Sequence, residues 1–241
     1  DTVLNVSQPG VLGNDSDPDG NPITVVPVGA PAHGSLVLNA NGGFTYTPAA
    51  NFDGLDSFTY KANDGQADSN VATVTISVAG VNDAPGFSKG ADQTVVEDAG
   101  PQTVTSWATT VSPGPADESG QMLQFLVSND NSGLFSVQPA LSANGTLTYT
   151  PAADANGTAS VTVRLKDNGG TANGGQDTSA AQTFRITVTA VNDAPIANND
   201  TATSNEDNSV TVNVLANDRP GPATATDEAG QTLTVVLAGP A

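Results

Sequence analysis

The feature that most constrains the fold of this chain is an internal repeat. The pentapeptide Val-Asn-Asp-Ala-Pro occupies residues 81–85 and again residues 191–195, a spacing of 110 residues. Residues 38–48 and residues 141–151, which precede these two copies, both end in Thr-Tyr-Thr-Pro. Self-similarity at a fixed period is typical of a modular array, in which each repeat is one structural unit.

A third copy begins after the second pentapeptide, because VLAND at residues 214–218 repeats VLGND at residues 11–15. We expect the sequence to be an excerpt from a longer protein, cut out of phase with its domains. The predicted organisation is a module at 1–80 that lacks its first strand, a linker at 81–85, a complete module at 86–190, a linker at 191–195, and the N-terminal half of a third module at 196–241.

Hydrophobic and polar residues alternate within each module. Phe58 and Tyr60 alternate with Ser57 and Thr59, and similar runs of Val, Thr and Phe are separated by Gly, Pro, Asn and Asp. This period of two indicates half-buried strands with one wet face. Copy two contains about seven such runs, the number in a Greek-key sandwich. The sequence therefore predicts an all-β fold of tandem Greek-key, cadherin- or Ig-like β-sandwich modules in a row, with Trp107 in a core.

Composition excludes several classes of function. Asp and Glu number 25 against 6 Lys and Arg, which gives a net charge of -19. Nucleic acids and anionic lipids are therefore unsuitable partners, since both need clustered positive charge. Cysteine is absent and His33 is the single histidine, so disulfides, thiolate chemistry and multi-histidine sites are excluded. No apolar run approaches the ~20 residues of a membrane span, so we expect no membrane insertion in this segment. A divalent cation is the simplest partner for such a chain.

The first acidic cluster is a D-x-D-x-D-G run formed by Asp15, Asp17, Asp19 and Gly20. It matches the opening half of an EF-hand loop, where alternate carboxylates converge on one cation. The twelfth position is Val26 instead of the bidentate Glu, and strands flank the run, so it is not an EF-hand. The alternative is a solvated turn. Mutual repulsion of about 1 kcal/mol per carboxylate pair at 4 Å in water favours a bound cation.

Further acidic positions recur at corresponding places in the modules. They are the turn of Asp53 and Asp56, matched with Asp154; Asp64, matched with Asp167; the linker pairs Asn82–Asp83 and Asn192–Asp193; and Glu97–Asp98, matched with Glu206–Asp207. Each of them alone is compatible with a surface turn. Their joint recurrence at module ends favours a shared function as ligands.

The order of these motifs resembles the bacterial cadherin-like tandem repeats of giant surface adhesins and RTX-type exoproteins. The linker is also similar to the D-x-N-D-N-A-P signature of animal cadherins. In that family calcium lies between successive modules. The resemblance therefore implies Ca²⁺ as the cofactor, no enzymatic activity, and an extracellular location at the bacterial cell surface as part of a secreted protein.

The resemblance also implies ligands, position by position. For the junction of modules two and three these are Glu97, Asp98, Asp154, Asn192, Asp193, Asp227 and Glu228. For the junction of modules one and two they are Asp1, Asp53, Asp56, Asn82, Asp83, Asp117, Glu118 and Asp167. Asp15, Asp17, Asp19 and Asp64 would face a preceding module. Copies two and three replace D-x-D-x-D with an Asp-Glu pair, so we expect one or two ions per junction.

The function that follows is a calcium-stabilised repeat region of a surface or adhesion protein, acting as a rigid stalk or fibre segment. Its expected partners are neighbouring modules of the same chain, together with like chains or a surface ligand. One alternative is an adhesin module that binds glycan or protein, although aromatic residues are only 5% of the chain. Others are the non-catalytic spacer of a secreted enzyme, and self-assembly by strand addition.

Overall fold

The structure is a computed structural model, which describes residues 2–237. It contains strands, turns and short 3₁₀ helices, and no α-helix occurs within that range. The chain forms two compact units. The first comprises Asp1–Asp83, Gly114–Gln121 and Gly169–Asp177, and the second comprises Ala84–Pro113, Met122–Asn168 and Thr178–Ala241. Two loops of the second sequence repeat thus belong to the first compact unit.

The first unit is a sandwich of two antiparallel three-stranded sheets. Its strands are β1 (Leu4–Val6), β2 (Thr24–Gly29), β3 (Gly34–Leu38), β4 (Phe44–Pro48), β5 (Gly54–Asn63) and β6 (Ala72–Val78). One sheet has the order β1-β4-β3 and the other has the order β2-β5-β6. The unit also contains 3₁₀ helices at Gly10–Asn14, Ala116–Glu118 and Ala172–Gly174.

The second unit has a four-stranded, a three-stranded and a two-stranded sheet. Its strands are β7 (Gly86–Ser88), β8 (Gln93–Val96), β9 (Gln102–Val104), β10 (Thr109–Ser112), β11 (Gln124–Asn129), β12 (Phe135–Leu141), β13 (Leu147–Pro151), β14 (Gly157–Lys166) and β15 (Gln182–Thr189). The sheet orders are β11-β14-β15-β8, β12-β13-β9 and β10-β7. Strand β8 pairs with β15 in parallel, whereas the other pairs are antiparallel.

Residues 196–237 contain a bridge between Ile196 and Arg219 and a 3₁₀ helix at Thr226–Glu228, but no strand. The alternating residues Val210, Val212 and Val214 are exposed there. Val210 and Val212 precede VLAND as β1 precedes VLGND in the first unit. There β1 obtains its backbone hydrogen bonds from β4, and residues 196–237 include no counterpart of β4. Alternation alone therefore does not produce a strand when its pairing partner is absent from the described segment.

The predicted alternation along β5 is confirmed. Phe58 and Tyr60 are 1% and 4% exposed, while their polar neighbours face outward. Phe44 of the opposite sheet meets Phe58 edge to face, with ring centroids 5.3 Å apart. This core is why the first unit holds together as a sandwich, since apolar burial is the main driving force for folding.

The second unit has a larger core, and the prediction that Trp107 lies in it is confirmed. Trp107 is 3% exposed, contacts Phe184 with ring centroids 4.3 Å apart, and donates its indole N–H to the Ala91 carbonyl over 2.9 Å. Leu147 and Val161 are fully buried in the same cluster. Trp107 is the single tryptophan of the chain, so its fluorescence reports on the second unit.

Truncation of this core generates the first prediction. We expect Leu147→Ala to lower the unfolding free energy of the second unit by about 2–5 kcal/mol, because it removes buried methyl groups and leaves a cavity. Denaturant unfolding followed by Trp107 fluorescence measures the effect. The control is Val137→Ala, since Val137 is 57% exposed. Equal effects of the two variants would contradict the assignment of Leu147 to the core.

Candidate metal centre

Three aspartates meet in the second unit. Single carboxylate oxygens of Asp98, Asp154 and Asp193 all lie within 4.8 Å of one another, the one such group of Asp, Glu, His or Cys found among residues 2–237. Strand pairing brings their segments together. The last residues of β8 and β15, Val96 and Thr189, are paired, and β14 begins at Gly157 beside β15. The residues that follow β8 and β15 and precede β14 therefore emerge at one edge of the sheet.

A buried glutamate fixes the geometry at this edge. Glu97 is 1% exposed, and its Oε1 accepts a hydrogen bond of 2.6 Å from the Val191 N–H. Its Oε2 accepts one of 3.3 Å from the Asn156 side chain, and its own N–H donates to the Thr189 carbonyl over 3.0 Å. Glu97 thus holds the linker that starts at Val191 against the end of β8.

A second buried glutamate holds the other side of the linker. The Asp193 N–H donates to Oε1 of Glu228 over 2.9 Å, and Glu228 is 1% exposed. Oε2 of Glu228, Oδ2 of Asp193 and Oδ1 of Asp227 are buried and have no hydrogen-bond partner in the described part of the chain. A buried ionised oxygen without a partner is costly. These oxygens therefore need either protons or a cation.

The electrostatics of Asp193 show the same crowding. Burial raises the pKa of its carboxyl group, and repulsion from Asp154, Asp98, Glu97 and Glu228 raises it further. A neighbouring negative charge disfavours the ionised form of a carboxyl group, whereas a cation at this place would favour it.

The first unit contains the same hydrogen-bond pattern. The Asp83 N–H donates to Oε1 of the buried Glu118 over 2.7 Å, which repeats the Asp193–Glu228 bond 110 residues earlier. Gln121 donates to the Asn82 side chain over 2.7 Å, as Gln231 does to Asn192 over 3.4 Å. Oε2 of Glu118 and Oε1 of Gln121 are buried without a hydrogen-bond partner in the described residues.

A small cleft of about 90 Å³ adjoins this arrangement in the first unit. Asp53, Asp83 and Asp117 line it, and Asp53 and Asp117 also line a neighbouring cleft with Asn82 and Glu118. The cleft is therefore bordered by oxygen donors of the first unit, from the turn before β5, the linker and the loop 114–121.

The donor set fits calcium. Every candidate ligand is a carboxylate or amide oxygen, and hard cations such as Ca²⁺ take six to eight oxygens at about 2.3–2.6 Å. Two oxygens on opposite sides of such an ion are about 5 Å apart, which suits the spacing within 4.8 Å of the three aspartates. The 3₁₀ helices at Ala116–Glu118 and Thr226–Glu228 place an Asp-Glu pair at the same position in each unit.

Asp56 lies apart from these ligands, and a role for it in binding stays a prediction. It is buried among the hydroxyl of Tyr46 at 2.8 Å and the backbone N–H groups of Ala32, His33 and Ser57 at 3.0, 2.9 and 2.8 Å. Burial raises the pKa of Asp56, but hydrogen bonds from Tyr46, His33, Ala32 and Ser57 outweigh it, so the pKa lies below its usual value. Burial of Tyr46, its hydrogen bond to Asp56 and the negative charge of Asp56 raise the pKa of the Tyr46 hydroxyl to about 12.

The D-x-D-x-D run forms a turn that closes on itself, and its role in binding stays a prediction. Oδ1 of Asp17 accepts hydrogen bonds from the N–H groups of Asp19 and Asn21 at 2.9 and 3.0 Å, as expected of an Asx turn. Asp15 accepts the Tyr60 hydroxyl at 2.8 Å. These aspartates do not form a group of converging carboxylates in the described residues.

The remaining predicted residues lie apart from the two arrangements or outside the described range. Asp64 accepts hydrogen bonds from the N–H groups of Gln66 and Ala67 at 2.8 and 2.7 Å in its own hairpin. Asp167 is buried directly after β14 in the second unit. Asp1 lies outside the described residues. A role of Asp64, Asp167 or Asp1 in binding stays a prediction.

Sequence reasoning missed four residues. Gln121 and Gln231 lie in the shared motif DE-x-GQ-x-L, so repetition was the signal for both. Thr224, whose hydroxyl donates to Asp154, has no counterpart in copy two and left no such signal. Asn51 is the true counterpart of Asp154, since Thr-Pro-Ala-Ala precedes each. Matching Asp154 with Asp53 was therefore wrong by two residues.

Comparison with known proteins identifies the modules. Residues 1–80 match the family model described as a bacterial cadherin-like domain, and residues 82–189 match the one described as a bacterial Ig domain. The chain carries bacterial cadherin-like and Ig-like domains. Domains of these types are typically non-catalytic. No curated protein sequence matches the chain.

Solved structures agree with the fold of these domains. Repeats EC1–2 of human protocadherin-24 match with a TM-score of 0.50 and 18% identity, over 73% of this chain and 86% of that one. Repeats EC22–24 of mouse cadherin-23 match with a TM-score of 0.50 and 20% identity, over 75% and 59%. The predicted all-β sandwich fold is thus confirmed. In residues 2–237 no helix has the length and apolarity to cross a bilayer.

The crowding at Asp193 generates a prediction for the metal-free protein. A group whose pKa is raised by folding contributes stability below its unfolded pKa of about 3.9 and loses it as the pH rises. In chelator, we expect Asp193→Asn to be more stable than the parent at pH 7, and the difference to vanish near pH 4. Trp107 fluorescence during thermal unfolding measures this. Asp200→Asn, at an exposed acid, is the control, and an Asp193→Asn variant less stable at pH 7 would contradict it.

The Asp56 network generates the opposite pH dependence. Folding lowers the pKa of the Asp56 carboxyl group. The contribution of Asp56 to the stability of the first unit is therefore present above about pH 4 and is lost as the pH falls. We expect Asp56→Asn to destabilise the first unit at pH 7 and to lose this effect below pH 3. Amide hydrogen exchange in β3 and β5 measures it. Asp19→Asn is the control in the same unit, and a pH-independent loss would show that the charge of Asp56 is unimportant.

Proposed function

We propose that this chain is a calcium-stabilised extracellular repeat region of a bacterial surface or adhesion protein, which acts as a rigid stalk or fibre segment. The observation that carries the proposal is the pair of buried glutamates, Glu118 and Glu228. Each holds a linker N–H with one carboxylate oxygen and has the other buried without a hydrogen-bond partner in the described chain. The matches to cadherin-like and Ig-like domains support the same proposal.

The residues that would hold calcium follow from the two arrangements. In the second unit they are Asp98, Asp154, Asn192, Asp193, Asp227 and Glu228, with Glu97 as their support. In the first unit they are Asp53, Asn82, Asp83, Asp117 and Glu118. Bound calcium supplies the positive charge that these oxygens lack. No residue is assigned a catalytic role.

Stiffening follows from where these ligands lie in the sequence. Within the second unit, Asp154 belongs to the second repeat, Asp193 to the linker, and Glu228 to the third repeat. An ion that holds all three restricts the linker between successive repeats. With free calcium at about 100 times Kd, binding stabilises the liganded form by about 2.7 kcal/mol per site. Extracellular modules bind calcium with Kd near 10⁻⁴–10⁻³ M, so this mechanism suits a cell surface.

The partners we propose are neighbouring modules of the same chain, together with like chains or a ligand on another surface. The net charge of -19 keeps single chains soluble and apart. Calcium would neutralise part of that charge at the linkers and so lower the repulsion between successive repeats and between like chains.

Calcium titration of matched variants tests the proposal. We expect calorimetry to detect binding to the parent, and thermal unfolding of the second unit to shift upward in calcium. Glu228→Gln removes a buried negative charge from the second site, so we expect it to weaken binding there by about tenfold or more and to leave the first site intact. Glu118→Gln is the matched variant for the first site.

The control is Asp200→Asn, which removes one exposed carboxylate outside both sites and is expected to change neither calcium binding nor unfolding. X-ray scattering with and without chelator then measures the stalk itself, and we expect larger, better-defined dimensions in calcium. Identical heats, unfolding temperatures and scattering in both conditions would refute the proposed function.

A further inference from the structure

The two units carry the same turn ahead of β5 and β14, but an acid and an amide are exchanged within it. Residues 47–54 read TPAANFDG in the first unit, and residues 150–157 read TPAADANG in the second. Asn51 therefore corresponds to Asp154, and Asp53 corresponds to Asn156. Each turn has one carboxylate and one carboxamide, so the two turns have equal formal charge and differ only in where it lies.

The backbone of the two turns is the same. Asn51 and Asp154 have φ angles of 59° and 54°, which are in the left-handed region. In both turns the N–H of the next residue donates to the carbonyl three residues earlier, over 3.2 Å in the first unit and 3.4 Å in the second. Asn and Asp are the non-glycine residues that adopt this conformation most readily. Exchanging them therefore leaves the turn intact.

The side chains have different surroundings. The carboxylate of Asp154 joins those of Asp98 and Asp193 within 4.8 Å, and Asn156 donates to the buried Glu97. In the first unit the acid comes two residues later. Asp53 lines the cleft there, but no group of three acids at that spacing includes it in the described part of the chain.

We infer that the position of this one carboxylate sets the relative calcium affinity of the two sites, so that the site of the second unit fills before the site of the first. The inference rests on the proposed function, since it requires calcium at both sites. Calcium affinity depends on how many charged ligands converge and on how rigid the site is. Asp154 joins a preformed group of three carboxylates, and among residues 2–237 Asp53 joins none at that spacing. Calcium would thus order the repeats in two steps instead of one.

Charge-neutral exchanges within each turn test this inference. The variants are N51D/D53N in the first unit and D154N/N156D in the second, and both keep the composition of the chain. The amide signals of Asp83 and Asp193 serve as site reporters in NMR calcium titrations, because each N–H is bonded to a glutamate of its own site. In the parent, we expect the Asp193 signal to reach its midpoint at lower calcium than the Asp83 signal.

We expect D154N/N156D to raise the calcium midpoint of Asp193 by about tenfold or more without moving that of Asp83. The single variant Asp154→Asn, which keeps the hydrogen bond from Asn156 to Glu97, should raise it as well. N51D/D53N is expected to lower the midpoint of Asp83. The single variant Asn51→Asp, which keeps Asp53, should lower it as well. A preserved far-UV circular dichroism spectrum and dispersed amide signals in chelator are the folding control for all of these variants.

Two outcomes separate this inference from the proposed function. Equal midpoints in the parent, or exchanges that leave the midpoints in place, overturn the inference while calcium binding still stands. Parent signals that do not respond to calcium at all overturn the proposed function and the inference together.

Discussion

The interaction on which the rest of this structure depends is the hydrogen bond from a linker N–H to a buried glutamate. It joins Asp83 to Glu118 in the first unit and Asp193 to Glu228 in the second. A hydrogen bond to a charged acceptor is worth more than a neutral one, and its loss leaves a buried charge unsatisfied. Because the acceptor lies 35 residues beyond the donor in both units, the bond ties each linker to a loop of the following repeat.

That same bond leaves a charge to be balanced. Glu118 and Glu228 each use one oxygen for the linker and keep the other buried without a hydrogen-bond partner in the described residues. In the second unit Asp193 adds a further buried oxygen, and burial together with repulsion from the neighbouring acids raises the pKa of its carboxyl group. A fold made only for stability would replace such groups with apolar ones. Their presence at the same place in both units is the basis of the proposed calcium sites.

The fold could be predicted well from the sequence. Strands are recognisable by the alternation of apolar and polar residues, and the repeat is recognisable by its identical segments. The burial of Phe58, Tyr60 and Trp107 followed from such patterns. The site could be predicted less well, since Asp53 and Asp56 belong to the same acidic turn and the sequence does not show which of them faces the linker. The difference arises from register. Asp56 lies within β5, opposite Ile76 of β6, and its side chain points into the sandwich toward Tyr46. Asp53 lies just before the strand and lines the cleft.

The D-x-D-x-D run shows a second limit of sequence reasoning. A short acidic turn satisfies its own backbone through Asp17, and the sequence cannot distinguish this closure from an open, chelating loop. The missed residues have a similar cause. Gln121 donates to Asn82 and Thr224 donates to Asp154, so both support candidate ligands, and such polar supports have no spacing rule of their own. Only comparison between copies of the repeat makes some of them visible.

The parallel pairing of β8 with β15 has a mechanical consequence. Force along the chain enters this module through the segment before β8 and leaves through the linker after β15. The two strands run in the same direction and are paired over four residues each. Force on the N-terminal end of β8 and on the C-terminal end of β15 therefore loads all of the hydrogen bonds between them at once, in shear. Hydrogen bonds that are loaded simultaneously break only at high force, whereas hydrogen bonds that are loaded one after another break at low force. Under such a load, this pair of strands would be the part of the module that resists unfolding.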